Sequence, residues 1–440
     1  MSEQLYFFNP PIINIKDANF NSNSDSSWSF AGKTIKETTY ITHGYYTYPA
    51  KFIPQLAKRL ILENSKVKDI VIDPFSGSGT TVIESIVNQR VGIGNDINEI
   101  ATLIAKVKST PLNTETLEKE FSKLYFEIVK IFESNYEDYL NFALKQIPQN
   151  ERIDFWFCEE NKNKLAILLT KINETQENDI RNFFLVAFAQ ILKTSSVWMQ
   201  KSVKPTRDKN KKQYNPFDLF VKQTKKMIKG HYEFNKILLP EIKNNIDLYR
   251  RIECNDSRKL NCNNGEASLI VSSPPYVTSY EYADLHQLPL LWLGYLTDLS
   301  IYRKKFSGSV HSERSSVDLR SQIADNIVNN VENKKKKEVR NYYSDMLETW
   351  LEVKRSLKKG GRACIVIGNT KFNGVEILNS NVFTEQFNNI GFKTIKIIER
   401  EIPSKMLPSS RDSKTGRFAK TSKTDNLVYP VEYILIMEKL

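Results

Sequence analysis

The stretch "DIVIDPFSGSGTTVIESIVNQRVGIGNDIN", residues 69 to 98, decides the fold. Its first part, "DIVIDPF", is a short run of β-branched apolar residues bounded by turn formers, the pattern of a buried strand. "TVIESIVNQR" reads as the following helix, and "VGIGNDIN" as a second short strand ending at Asp96. Strand, helix and strand within about thirty residues make the parallel-sheet unit of α/β folds.

The rest of the chain fits around that unit. With 440 residues it can form two or three domain-sized units. A net charge of +12 favours a polyanionic partner, nucleic acid before membrane, although a lysine-rich surface alone could produce it. Cys158, Cys254, Cys262 and Cys364 form no CxxC pair, so neither a metal site nor a disulfide framework is expected. The start, "MSEQLYFFNPP", lacks a basic region before an apolar core, and no run of about 18 apolar residues occurs. A cytoplasmic protein is expected.

Residues 1–40 read as a polar extension, poorly ordered or at an edge, because "NFNSNSDSSWSFAGK" has no periodicity. Residues 41–110 hold the α/β unit, preceded by a helix from about Pro54 to Glu63 with its proline in the first turn. Residues 111–245 repeat apolar residues at three and four and read as a helical insertion with a basic end. The α/β texture returns over 246–440. "YRRIECNDSRKL" and "ASLIVSSPPY" are strands running into loops, and "YYSDMLETWLEVKRSLKKGG" is a helix with a glycine stop. "RACIVIGNT", "FKTIKIIEREI" and "VEYILIME" are three further strands.

The loop "DPFSGSGTT" carries the first chemistry. It lacks the lysine of a phosphate-cradling GxxxxGK[ST] loop and the third glycine of GxGxxG. Asp73 at the strand end would repel a pyrophosphate and welcome a cationic or hydroxylated ligand. The glycines let a ligand approach the backbone, and the helix N-terminus beyond can meet a carboxylate. Asp96, ending the next strand, suits a ribose diol. A ribose, a carboxylate and a positive centre together describe S-adenosylmethionine. Taken alone, the loop fits a tight turn with a structural aspartate equally well.

The second stretch is "LIVSSPPYVTSY", residues 269 to 280. Two prolines fix φ and remove two donors, leaving the carbonyls before them free and rigidly aimed. Those carbonyls and the Ser273 hydroxyl are acceptors, and Tyr276 supplies a flat face. Such a receptor suits a planar ring bearing an amino group. Two hydrogen bonds to that amine would localise its lone pair and permit direct methyl transfer, with no covalent intermediate. The base must first leave its stack.

"DPFSGSGT" with "SPPY" resembles the amino-group DNA methyltransferases, and the serine form looks most like the cytosine-N4 branch. The resemblance covers roughly 41–110 and 245–440. It implies a Rossmann-like S-adenosylmethionine-dependent methyltransferase sheet, mostly parallel with an antiparallel strand, beside the helical insertion. It implies Ser273, Pro274, Pro275 and Tyr276 as catalytic residues. Cofactor contacts would be Tyr48, Pro49, Lys51, Asp73, Pro74, Phe75, Gly77, Ser78, Gly79, Thr80, Asp96 and Ile97. Asp256, in "CNDSRKL", would meet the cofactor's adenine amine. The cofactor segment precedes the catalytic one, a departure from the order common among SPPY enzymes. With the insertion, this leaves the target-reading region open.

Three basic segments could meet double-stranded DNA: the insertion's end near Lys204 to Lys229, and the loops at about 300–340 and 403–428. Arg303, Arg314, Arg320, Arg411 and Arg417 are the candidates for reading guanine edges. "NKKKKE" at 333–338 reads as a solvated charge run or phosphate contact. His43 and His286 read as structural before substrate-touching, and Tyr280, Tyr282 and Asp284 as base-pocket residues. The expectation is therefore a site-specific DNA methyltransferase acting on cytosine N4 in a restriction-modification system, with the existence of a separately encoded restriction endonuclease as partner left open. Adenine N6, an RNA substrate and a non-catalytic DNA-binding subunit are the alternatives.

Overall fold

The computed structural model describes residues 22–49, 51, 53–202, 204–277, 282–307, 318–372, 374–402, 410–411, 418–419 and 431–440. Its strands, in chain order, are β1 (Ser22–Ser24), β2 (Ile70–Asp73), β3 (Val91–Asp96), β4 (Arg250–Cys254), β5 (Ala267–Ser272) and β6 (Leu357–Ile367). There follow β7 (Thr370–Phe372), β8 (Val375–Ile377), β9 (Phe392–Glu401), β10 (Ser410–Arg411), β11 (Phe418–Ala419) and β12 (Val431–Lys439). Eight of them form one sheet in the order β1-β9-β12-β6-β5-β2-β3-β4. Only β12 runs antiparallel to its neighbours β6 and β9, and every other pair in this sheet is parallel. This is the mostly parallel Rossmann-like arrangement expected.

The connectivity places a crevice. From β2 the chain steps outward to β3 and β4, then returns to β5 on the other side of β2. Ligands of such sheets bind at this reversal, beyond the carboxyl ends of the strands. Asp73 ends β2 and Ser272 ends β5, so the two motifs meet there.

Glycine shapes the approach of helix to sheet. A Cβ on Gly92 would stand 2.9 Å from the Val82 carbonyl, and one on Gly94 would stand 2.8 Å from the Val82 side chain. Helix Thr80–Val87 can lie against β3 only because both positions are bare.

The helical region supplies Thr114–Ser134, Tyr136–Gln146, Glu159–Asn173, Asn178–Ser195 and Pro216–Ile237 as its longer helices. Its apolar residues do not form a separate core. They join one cluster with Tyr45, Tyr46, Tyr48, Ile104 and the buried Leu288–Trp292 run that follows the catalytic loop.

Two expectations change. Residues 22–40 are more than a polar extension: β1 pairs in parallel with β9, and Trp28 is buried among β5, β6 and β12 residues under the Arg59 guanidinium, 3.7 Å from its ring centroid. Residues 1–21 lie outside the described residues. The glycines of "KKGG" do not stop a helix. The helix Asn333–Ser356 ends earlier, and β6 runs through Gly360 and Gly361. Gly360, at φ 72°, sits in the same stretch as a register shift between β5 and β6, where β6 advances five residues from Leu357 to Arg362 while β5 advances two from Ala267 to Leu269. "NKKKKE" forms the first turns of that helix. Lys334 pairs with Glu332, and Lys335 pairs with Glu338 and lies over Phe372.

Among the described residues, no helix is long and apolar enough to cross a membrane.

Candidate active site

Asp73 joins the two motifs. Its carboxylate is 1% exposed. One oxygen accepts from Ser272 Oγ at 2.6 Å and the Phe75 N–H at 3.1 Å, and the other accepts from Thr81 Oγ1 at 2.8 Å. Thr81 Oγ1 also lies 3.2 Å from the Val271 carbonyl. The glycine loop, the helix after it and the end of β5 are thus tied to one carboxylate. Burial pushes the Asp73 carboxyl up to about 6, and the three donors oppose that shift. Three donors from within the chain hold this carboxylate, which thereby also positions the glycine loop and the end of β5.

The glycines of this loop also pack tightly against their neighbours. Gly79 sits at φ 82°, and a Cβ there would fall 2.8 Å from the Ala105 Cβ. Gly77 sits at φ 49° against Tyr48, whose ring a Cβ would meet at 3.1 Å. Both turns need the left-handed region that glycine occupies without strain. Tyr48 is buried and stacks on His286, centroids 4.7 Å apart.

Several groups stay open to a ligand. Gly79 caps helix Thr80–Val87 without any side-chain bond, so the first N–H groups of that helix keep their donors. Ser76 Oγ and Ser78 Oγ are buried without a hydrogen-bond partner. Asp96, half-buried at the end of β3, accepts the Gly77 and Asn98 N–H groups at 2.9 Å each, one on each oxygen. Burial pushes the carboxyl up to about 6 against these two donors and the Ile97 N–H. Ile97 follows, half-buried. Pro74 is buried, and its carbonyl receives the Asn95 amide at 3.3 Å. Phe75 packs against the core beneath β5 and β6, and Thr80 opens the helix. This donor and acceptor set fits S-adenosylmethionine: helix N–H groups and a serine hydroxyl for its carboxylate, and Asp96 for its ribose diol.

Asp256 sits one loop beyond β4. Arg258 grips its carboxylate through Nε and also reaches Asp345 at 2.6 Å. The hydrogen bonds from Arg258 hold Asp256 below the usual carboxylate range against its partial burial. Lys51 Nζ donates to the His43 carbonyl at 2.8 Å, and burial lowers its ammonium to about 8. Pro49 is half-buried beside Tyr48.

The loop Ser273-Pro274-Pro275-Tyr276 follows β5. Ser273 is half-buried, and its hydroxyl has no hydrogen-bond partner among the described residues. Of the loop's carbonyls, that of Pro275 receives the Tyr342 hydroxyl at 2.7 Å. Those of Ser273 and Pro274, the two that precede prolines, receive no backbone or side-chain donor among the described residues. Tyr276 is fixed by its hydroxyl bond to Glu432 at 3.1 Å and by Gly368, where a Cβ would lie 3.0 Å from its ring.

Both histidines are buried. His43 is fully buried against Glu84 at 2.8 Å, and Tyr40 donates to the same carboxylate. His286 is buried under Tyr48, and burial lowers its imidazolium to about 4, so it is neutral. Arg303 donates to Asp284 at 2.6 Å, which turns both nominated residues toward each other. Arg320 is half-buried with φ 48°, its N–H given to Asp318. Arg411 lies on β10, while Arg314, Arg417 and Tyr280 fall outside the described residues. Ser272 and Gly368 were missed. The only signal for Ser272 was a polar residue closing the otherwise apolar run "LIVS".

Comparison with known proteins gives the family. A family model described as DNA methylase matches residues 12–107 and 267–440. The type II methyltransferase M.MvaI of Kocuria varians is 26% identical over 443 residues, covering 92% of this chain and 94% of that protein. The DNA adenine methyltransferase YhdJ of Escherichia coli strain K12 is 42% identical over 59 residues, 13% of this chain and 20% of that protein. The structure of TTHA0409 from Thermus thermophilus, complexed with S-adenosyl-L-methionine, aligns at 16% identity and a TM-score of 0.20. That alignment covers 42% of this chain and 53% of the other.

Proposed function

The chain belongs to this DNA methylase family and uses S-adenosylmethionine, and from that premise we propose that it is a type II modification enzyme methylating cytosine N4 in duplex DNA. The observation that carries the reading is the pair of bonds from Asp73 to Ser272 and Thr81, at 2.6 and 2.8 Å, which lock the amine-accepting loop to the cofactor loop. S-adenosylmethionine, when bound, supplies a methyl group on a sulfonium.

The chain's own residues prepare the acceptor. Ser273 Oγ and an unoccupied carbonyl of Ser273 or Pro274 take the two hydrogens of an exocyclic amine. The lone pair, delocalised into the ring of a free base, is then localised on nitrogen and directed at the methyl. Tyr276, held by Glu432 and Gly368, offers its ring to the extruded base. A hydrogen-bond receptor assembled before the substrate arrives requires no reorganisation at the moment of transfer. Asp96 holds the ribose, and Asp256 the adenine amine. Lys51 and Tyr48 support the loop from below. Arg320 and Arg411 contact DNA, as do Arg314 and Arg417.

The enzyme works in the cytoplasm and pairs with a restriction endonuclease of the same specificity. The matched stretch in an adenine methyltransferase supports a second reading, adenine N6. Both bases present an amine beside a ring nitrogen. Incubation with labelled cofactor and unmethylated genomic DNA, followed by nucleoside mass spectrometry, separates the two. N4-methylcytosine supports the proposal, N6-methyladenine replaces it with the second reading, and absence of label removes both.

A further inference from the structure

Between helices Asn178–Ser195 and Pro216–Ile237 the chain folds back as a short antiparallel arm, residues 197–212. Trp198 and Arg207 pair as a bridge, and Met199 and Asp208 donate across it to Thr206 and Val197 at 2.8 Å each. Two lysines are used to build it. Lys211 Nζ donates to the carbonyls of Lys193, Ser196 and Trp198 at 2.6, 2.8 and 2.8 Å, at the negative end of the preceding helix. Lys193 Nζ reaches the Ser202 carbonyl at 2.9 Å. Trp198 stacks on Trp156, centroids 5.2 Å apart.

Five further cations stand on this ordered frame. Lys201, Lys204, Arg207, Lys209 and Lys212 are all exposed, and none forms an ion pair among the described residues. Arg207 lies over Phe155 and Lys212 over Tyr214, at 4.4 and 5.4 Å from the ring centroids. The arm's one acid, Asp208, accepts the Asn210 N–H. A self-contained surface intersperses its charges, whereas here five cations crowd together beside a single acid, with no ion pair among the described residues.

The arm is also tied, through a chain of contacts, to the residues beneath the glycine loop. The Val197 N–H donates to the Trp156 carbonyl at 2.9 Å, and Trp156 Nε1 donates to Gln287 Oε1 at 3.0 Å. Gln287 adjoins His286, which stacks on Tyr48 beneath the glycine loop. A polyanion on the arm is therefore anchored to the elements that frame the catalytic site. The arm lies outside the residues that the family model matches.

We propose that this arm is a phosphate-contact surface for the duplex carrying the target base, with Lys201, Lys204, Arg207, Lys209 and Lys212 supplying charge rather than sequence reading. It rests on the DNA reading above. Phosphate contacts release counterions, so affinity falls with salt by about 0.9 log units per log unit for each contact.

The test compares the full chain carrying K201Q/K204Q/R207Q/K209Q/K212Q with one carrying K66Q/K68Q/K119Q/K123Q/K130Q, which loses the same charge at exposed lysines elsewhere. Binding to a non-cognate duplex is measured across a salt series, with cofactor affinity and melting temperature as controls. The arm variant is expected to bind at least ~10-fold more weakly and to flatten the salt slope by about 4, and the control variant by less than about 1. Cofactor affinity stays unchanged in both. An unchanged slope in the arm variant, or an equal loss in the control, overturns the arm while methylation by the parent protein leaves the enzyme reading standing. A parent protein that neither methylates nor binds duplex removes both.

Discussion

At the ends of β2 and β3 both carboxylates are engaged by the chain: Asp73 accepts Ser272 and Thr81, and Asp96 accepts Gly77 and Asn98 while still facing the ligand side. On the arm at 197–212 the opposite holds, with five exposed cations and no ion pair among the described residues. The first region satisfies most of its polar groups internally and leaves a chosen few open, chiefly Ser273, its neighbouring carbonyls and the helix N-terminus. The second leaves charge open as a block. A closed network fixes geometry to fractions of an ångström and so suits chemistry. An open block of charge fixes only the sign of a partner and so suits a backbone of phosphates. Damage should therefore appear as lost stability and turnover in the first region and as altered salt dependence in the second.

The largest effect is expected from Gly79→Ala. Left-handed φ and a Cβ 2.8 Å from Ala105 act together, for a loss of about 4 kcal/mol in denaturant unfolding. A loss within ~1 kcal/mol would mean the loop yields, and the picture of a fixed frame would fail.

Asp73→Asn comes next and has a distinct pH signature. The folded carboxyl titrates at about 6, above the ordinary 3.8. The folded state therefore binds that proton more tightly. Its contribution to stability is fully present below the unfolded value and is lost as pH rises through about 6. Asparagine has no such dependence. Wild-type stability minus that of the variant should fall by about 3 kcal/mol between roughly pH 4 and 7. A flat difference would show that Asp73 is not held in the buried network.

Ser272→Ala is smaller and more local. It removes one donor to a buried carboxylate, costing about 2 kcal/mol. Because β5 carries the catalytic loop, turnover should drop ~10-fold while cofactor KM moves less than threefold. An equal change in both would place Ser272 in cofactor binding instead.

The fold was legible where local pattern and topology agree. "DIVIDPF" and "VGIGNDIN" formed the expected parallel pair, and the three late strands fell where their apolar runs lie. Local pattern failed where pairing overrode it: "KKGG" reads as a helix stop, yet a bulged register with β5 draws both glycines into β6. At the site, the motifs named where chemistry sits but not how its parts are held. The Asp73 to Ser272 bond spans 199 residues, and Gly368 presses on Tyr276 from a separate strand end far along the chain. Arg303 was nominated for DNA because nothing nearby in the chain reveals that the fold brings Asp284 to it. Lys211 and Lys212 are adjacent and alike in sequence, but only the fold separates the one that builds the arm from the one that is exposed on it.

The central claim is that the cofactor loop and the amine-accepting loop are one assembled site with separable duties. Ser273→Ala tests it most directly, with methyl transfer to DNA and cofactor binding by calorimetry measured on the same preparation. The account predicts transfer reduced at least ~100-fold and cofactor affinity within twofold of wild type. Transfer at the wild-type rate, or cofactor affinity lost in parallel with transfer, would contradict it.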